Sequence, residues 1–138
     1  MALILQLETS TTSCSVALSF NGETIGLKEL NERNAHASHL TLFINDVLAE
    51  CGKTISDLNA VAVSMGPGSY TGLRIGVSTA KGLCFALDIP LIAINTLNAM
   101  AHGLKATKNY DSVLYCPMID ARRMEVYTAV YNGSLELI

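Results

Sequence analysis

The sequence predicts an α/β lobe with the element order β-β-β-α-β-α-β-α, followed by the opening strands of a second, similar lobe. Three observations carry that prediction. An Asn21-Gly22 pair sits between two apolar runs, apolar residues from Leu40 to Cys51 recur at helical spacing, and a Gly-Pro-Gly turn separates a short apolar strand from a long helical stretch.

Taken in order, residues 2 to 8, 14 to 20 and 23 to 30 read as three strands. The last two are joined at Asn21-Gly22, a pair that tolerates positive φ and suits a tight hairpin turn. Leu40, Phe43, Ile44, Val47, Leu48 and Cys51 then fall at i, i+3, i+4, i+7, i+8 and i+11, one stripe of an amphipathic helix that Gly52 ends. Ala60 to Ser64 is a short apolar strand, Met65 to Ser69 a turn, and Tyr70 to about Leu87 a helix. Pro90 to Asn95 gives a fifth strand, and Thr96 is expected to cap a third helix running through His102 or a little beyond.

Past Lys108 the opening pattern starts again. Val113 to Ile119 reads as an apolar strand ending in Asp120, Met124 to Tyr131 as its partner, and Asn132-Gly133 as the next turn. Asn132-Gly133 lies 111 positions after Asn21-Gly22 and Asp120 lies 112 after Glu8, so the two copies differ by one residue in the first turn. Such repetition is a fold-level signal, although two unrelated hairpins would give the same local pattern. On the duplication reading, residues 1–109 form the first lobe and 110–138 open a second. Leu135 to Ile138 then begins a third strand whose continuation lies beyond the chain, leaving the last ~30 residues short of pairing partners.

Bulk properties narrow the function classes. Half of the 138 residues are apolar and only 15% are charged, against about 25% charged in an average soluble protein, which suggests a surface covered by another chain. No apolar run approaches the ~18 residues needed to cross a bilayer, and the N-terminus has no basic leader before Glu8, so a cytoplasmic location without membrane attachment is expected. A net charge of -3 gives no general attraction to a phosphate backbone, so nucleic acid would need a basic partner. Cys14, Cys51, Cys84 and Cys116 lack zinc-type or redox-type spacing and read as small apolar residues.

Two motifs carry the functional reading. Glu8-Thr-Ser-Thr-Thr-Ser13 joins the first two strands and is crowded with hydroxyls and amides that could surround a phosphate, with Thr9, Ser10, Thr11 and Thr12 the candidate ligands. A carboxylate at a strand end before such a turn resembles the phosphate-binding hairpin of actin-like ATPases and sugar kinases, but Thr and Ser also fill ordinary turns. The second motif, Gly66-Pro-Gly-Ser-Tyr-Thr-Gly-Leu-Arg-Ile-Gly76, is far more specific. With Leu7-Glu-Thr-Ser10, Ser15-Val-Ala-Leu18, Arg33, His36 and Asp120-Ala-Arg-Arg-Met-Glu-Val-Tyr127, it resembles the bacterial TsaB (YeaZ) family along the whole chain. Glu8 stands where many members have Asp, and Ala37 where many have Ser.

That resemblance implies a ribonuclease H-like, actin-like ATPase lobe and a role in making threonylcarbamoyladenosine in tRNA. It implies a non-catalytic scaffold or activator with no metal site of its own, which pairs with TsaD and is joined by TsaE, meets tRNA only through that complex, and forms homodimers in isolation. No cofactor is firmly implied, with room only for weak ATP or ADP binding, mainly at the complex with TsaD. The alternative is an ATP-binding enzyme of the sugar-kinase class that uses the Glu8 to Ser13 hairpin.

The residues agree with the non-catalytic reading. His36 and His39 are spaced i, i+3, but no carboxylate completes a metal set on that face, so capping or surface roles are expected. The fourth and fifth strands end in Ser64 and Asn95 rather than in the acids that two-metal nucleases require. Neither a Gly-x-Ser-x-Gly elbow nor a recognisable base points to hydrolysis. Ser69 can cap the second helix, whose start could bind an anion or simply form a tight turn. Gly72, Gly76 and Ala80 fall four apart and leave a shallow groove that admits another backbone. The groove could pack on the protein's own sheet, whereas the resemblance favours a partner helix. The expected interface on the first two helices therefore comprises Leu40, Phe43, Val47, Tyr70, Gly72, Leu73, Gly76 and Ala80.

Overall fold

Leu3, Leu5 and Leu7 alternate with more exposed residues, the period of a strand with one buried face, and they form β1 (Leu3–Glu8). The fold comes from a computed structural model that describes residues 1–108, 110 and 112–138. β1 pairs antiparallel with β2 (Ser13–Phe20), Leu5 opposite Leu18 and Leu7 opposite Val16, so buried residues share one face. Asn21 (φ 52°) and Gly22 (φ 87°) then turn the chain in two residues into β3 (Glu23–Asn31), the mirror-image turn that matches strand twist.

The apolar stripe builds α1 (Ala35–Glu50), which begins before Leu40 and ends at Cys51, with Gly52 at φ 63° just beyond. β4 (Ala60–Gly66) runs past the expected Ser64 and pairs parallel with β1, placing Val61 and Val63 beside Leu5 and Leu7. After the Gly-Pro-Gly turn comes α2 (Tyr70–Leu87), capped as expected by Ser69, whose Oγ accepts from Gly72 N at 3.3 Å. β5 (Leu91–Asn95) pairs parallel with β4, giving the sheet order β3-β2-β1-β4-β5. Leu40, Ile44, Val47 and Leu48 of α1 and Ala80 and Cys84 of α2 pack with the buried residues of β1, β2 and β4 into the main core.

α3 (Thr96–Thr107) is capped by Asn95, not Thr96. Asn95 Oδ1 accepts from Asn98 N at 3.1 Å, while Thr96 sits inside the first turn with its hydroxyl buried and unpartnered. Leu97 and Ala101 of α3 join Tyr115, Ile119 and Tyr131 in a smaller cluster.

The second hairpin is shorter than expected: β6 (Met118–Arg122) with β7 (Glu125–Thr128). Upstream of it, among the described residues, only Tyr115 bridges, to Tyr131. Pro117 has no N–H to give the ladder, and its carbonyl accepts instead from Thr128 Oγ1 at 2.9 Å. Asn132-Gly133 does not repeat the first turn. Asn132 Oδ1 accepts from Ser134 N and Glu136 N, both at 2.9 Å, and the following segment makes one bridge, Leu137 to Tyr131, rather than a strand. The strand phase does match, with Asp120 opposite Val126 as Glu8 is opposite Ser15. The expected lobe boundary at 109/110 includes Asn109, which lies outside the described residues.

Candidate functional site

The β1–β2 turn and the β4–α2 turn meet at the carboxyl ends of two parallel strands, the place where open α/β sheets present ligand sites. Ser69 N donates to Ser10 O at 2.6 Å and fastens one turn to the other. The contact is close because a Cβ at Gly68 would overlap the Ser10 carbonyl oxygen, and one at Gly72 the Thr9 carbonyl oxygen. A Cβ at Gly76 would overlap Thr9 Oγ1. The glycines of the motif therefore admit the first hairpin of this same chain.

This corrects the expected partner groove. Gly72, Gly76 and Ala80 are buried on the protein's own Thr9 and sheet, and Leu40 and Val47 belong to the main core. Their side chains are spent on folding. Of the eight expected interface residues, Phe43 and Leu73 are half-buried and Tyr70 is 74% exposed. Sequence periodicity locates the small-residue stripe but gives no sign of what lies across it.

The four candidate phosphate ligands are also mostly engaged. Thr9 is fully buried beneath α2, with its hydroxyl unpartnered. Ser10 donates to Glu8 Oε1 twice, from its amide at 2.8 Å and its hydroxyl at 2.5 Å. Thr11 Oγ1 accepts from Ser13 N at 3.3 Å, and Thr12 Oγ1 donates to Asn31 Oδ1 at 2.8 Å. The other oxygen of Glu8 accepts from Ser64 Oγ, across from β4. This Glu8–Ser10–Ser64 network was not anticipated from sequence, although a Ser two residues after a strand-end carboxylate is a usable signal for a local side-chain-to-backbone bond.

Beside the turns lies an open cleft of about 1120 Å³, with Thr11, Thr12, Arg33, His36, Asp120 and Arg122 among its lining. His36 is fixed in it by a 3.0 Å contact from Nε2 to the Ser13 carbonyl, a geometry that requires Nε2 to carry the proton. Arg122 and Tyr127 reach the cleft from the second hairpin. Among the described residues, no three His, Cys, Asp or Glu side chains converge as a metal set. No helix among them is long and apolar enough to cross a membrane.

On its outer side α2 carries Tyr70, Arg74, Ser78, Lys81 and Phe85, all exposed, at i, i+4, i+8, i+11 and i+15. Phe85 is 91% exposed, and the Arg74 guanidinium lies 5.5 Å from the centre of the Tyr70 ring.

Comparison with known proteins places this arrangement. Residues 29–138 match the family model described as TsaD, tRNA N6-adenosine threonylcarbamoyltransferase. The chain is 40% identical over 124 residues to the tRNA threonylcarbamoyladenosine biosynthesis protein TsaB of Haemophilus influenzae, covering 90% of this chain and 51% of that protein. It is 40% identical over 129 residues to TsaB of Escherichia coli, covering 94% and 54%. The chain thus spans about half the length of these curated relatives. The structure of YeaZ from Pseudomonas aeruginosa superimposes with a TM-score of 0.90 at 34% identity, over all of this chain and 65% of that one. A protein described as an N-acetylglucosamine kinase from Porphyromonas gingivalis shares the fold alone, at TM-score 0.52 and 18% identity over 46% of its length. With an α/β lobe of this topology, the uninterrupted glycine motif and these relatives, the chain belongs to the TsaB (YeaZ) family, within the group that the TsaD model covers.

Proposed function

We propose that this chain serves threonylcarbamoyladenosine formation in tRNA as a non-catalytic, cytoplasmic subunit that docks on a TsaD-type enzyme. The single observation that carries the non-catalytic part is the state of the first hairpin. Its one strand-end carboxylate, Glu8, accepts from Ser10 N, Ser10 Oγ and Ser64 Oγ, so the protein's own donors take most of its about four acceptor sites and make it a poor metal ligand or base. Family membership supports the pathway. On this reading residues 1–109 form the docking lobe and 110–138 open a second one. A TsaE homologue joins the assembly, and tRNA is met only through it. ATP or ADP, if taken up at all, is held weakly at the TsaD junction.

The docking face in this proposal is the outer stripe of α2 from Tyr70 to Phe85, in place of the buried glycine strip, with half-buried Phe43 and Leu73 kept from the expected interface. Large exposed aromatics are the residue type that anchors protein interfaces. The same stripe would pair two copies when TsaD is missing.

The test is capture by immobilised TsaD, followed by a base-modification assay with and without this subunit. Tyr70→Ala with Phe85→Ala is expected to reduce capture at least about tenfold, a loss of ~1.4 kcal/mol or more, with the far-UV circular dichroism unchanged. Modification that proceeds equally well without the subunit would remove the proposal. So would ATP hydrolysis by the chain alone, which would favour the sugar-kinase alternative.

A further inference from the structure

Three donors converge on Glu8, and their support does not depend on it. Ser10 N, Ser10 Oγ and Ser64 Oγ all point at its carboxylate. Ser10 is 1% exposed and Ser64 5% exposed. Ser10 is held from the other side by Ser69 N and by the contact with Gly68. Ser64 is held by the parallel pairing of β4 with β5. If the Glu8 carboxylate were removed, one buried amide and two buried hydroxyls would still face a common point with nothing to bond. Unmatched buried donors are costly. An oxyanion is the species that such a set attracts.

We propose that Glu8 is a built-in anion that fills an oxyanion seat in the β1–β2 turn and locks that turn against phosphate groups. The lock deepens the non-catalytic reading above and rests on it, because an occupied seat beside Ser10, which lines the cleft, would keep a phosphoester from that end. Glutamate reaches both Ser10 and Ser64 with its two oxygens. The seat lies at the carboxyl ends of β1 and β4, where a mobile ligand would otherwise enter.

The experiment compares the full chain with its Glu8→Ala variant, titrating each with inorganic phosphate and with formate against chloride at equal ionic strength. The readouts are the melting temperature and the Ser10 amide resonance. The expected result is saturable binding of both anions by Glu8→Ala, at least about tenfold tighter than by the unchanged chain, with the Ser10 amide moving during the titration. Identical responses of the two proteins would overturn the proposal, and binding of formate alone would overturn the phosphate assignment. Should Glu8→Ala fail to fold, Glu8→Gln keeps the side chain's length and replaces one acceptor oxygen with a donor. The Ser10 amide is then expected to shift from loss of its charge-assisted bond, and an unmoved resonance would sink the lock. Capture by TsaD, run in parallel on the unchanged chain, separates the two ideas. Intact capture beside an anion-blind Glu8→Ala defeats only the lock, and lost capture defeats only the subunit reading.

Discussion

The two hairpins of this chain pair their strands in the same phase and meet different fates. In the first, Leu3, Leu5, Leu7, Cys14, Val16 and Leu18 are all buried, and the turn is pinned by Gly68, Gly72 and the Glu8 network. In the second, Ile119 is the one buried residue of β6, every residue of β7 is exposed, and Met124 at the tip is fully exposed. The tips differ as well. Thr9 and Ser10 disappear beneath α2, whereas Arg122, Arg123 and Met124 stand in the open with φ of 67°, 52° and 64°. Register is therefore a local property that a repeat can copy, and burial depends on what packs above the strands. In the first hairpin that is α1 and α2; in the second it is a cluster of five residues.

Core truncation should separate the two regions most sharply. Leu5→Ala removes a fully buried side chain from the main core and should destabilise the first lobe by about 2–5 kcal/mol. Ile119→Ala should lie near the bottom of that range and should loosen only the second hairpin, seen as faster amide exchange in β6 and β7 with the main melting transition unmoved. A single transition shifted equally by both changes would erase the contrast.

A smaller effect is expected at the exposed tip. Arg123 holds a left-handed conformation that costs a side-chain-bearing residue about 1–2 kcal/mol. Arg123→Gly should therefore slow exchange in the second hairpin without touching the first, and faster exchange there would contradict the strain.

The smallest effect is pH dependence at Cys14. Burial pushes its thiol up from the ordinary value of 9.0, so the unfolded chain ionises before the folded one. The stability it contributes is complete below that ordinary value and is lost as pH rises through the folded one. Burial raises Cys84 too, partly countered by a backbone hydrogen bond involving Val61. Cys14→Ala should flatten part of the alkaline fall in melting temperature. Exposed Cys116 of the second region should meanwhile alkylate readily in the native protein, and equal labelling of Cys14 would contradict its burial.

Much of the fold was legible because its signals are local. Asn21-Gly22 dictates a turn, the Leu40 to Cys51 stripe dictates a helix face, and Ser69 before Tyr70 dictates a cap. The misses share a physical origin. Thr96 was expected to cap α3, yet Asn95 one residue earlier is an equally good acceptor and took the role. Apolar content predicts a Val113 to Ile119 strand, but Pro117 interrupts its ladder and β6 begins only at Met118. For the site, a stripe of small residues says that something comes close but not what. The choice between partner and self is made by Thr9, sixty-seven positions away from Gly76 and invisible to helical periodicity. The Glu8 to Ser64 bond likewise joins residues that only the parallel pairing of β1 and β4 brings together.

The central claim is that α2 turns its small residues inward and its aromatics outward. The most direct measurement is thermal melting of Gly76→Leu, with TsaD capture recorded on the same sample. Added bulk against Thr9 should abolish the cooperative transition, well beyond the ~1–3 kcal/mol of ordinary overpacking, so that capture fails because the lobe no longer folds. An unchanged melting temperature with capture lost would place the glycine strip at the partner interface and contradict the account.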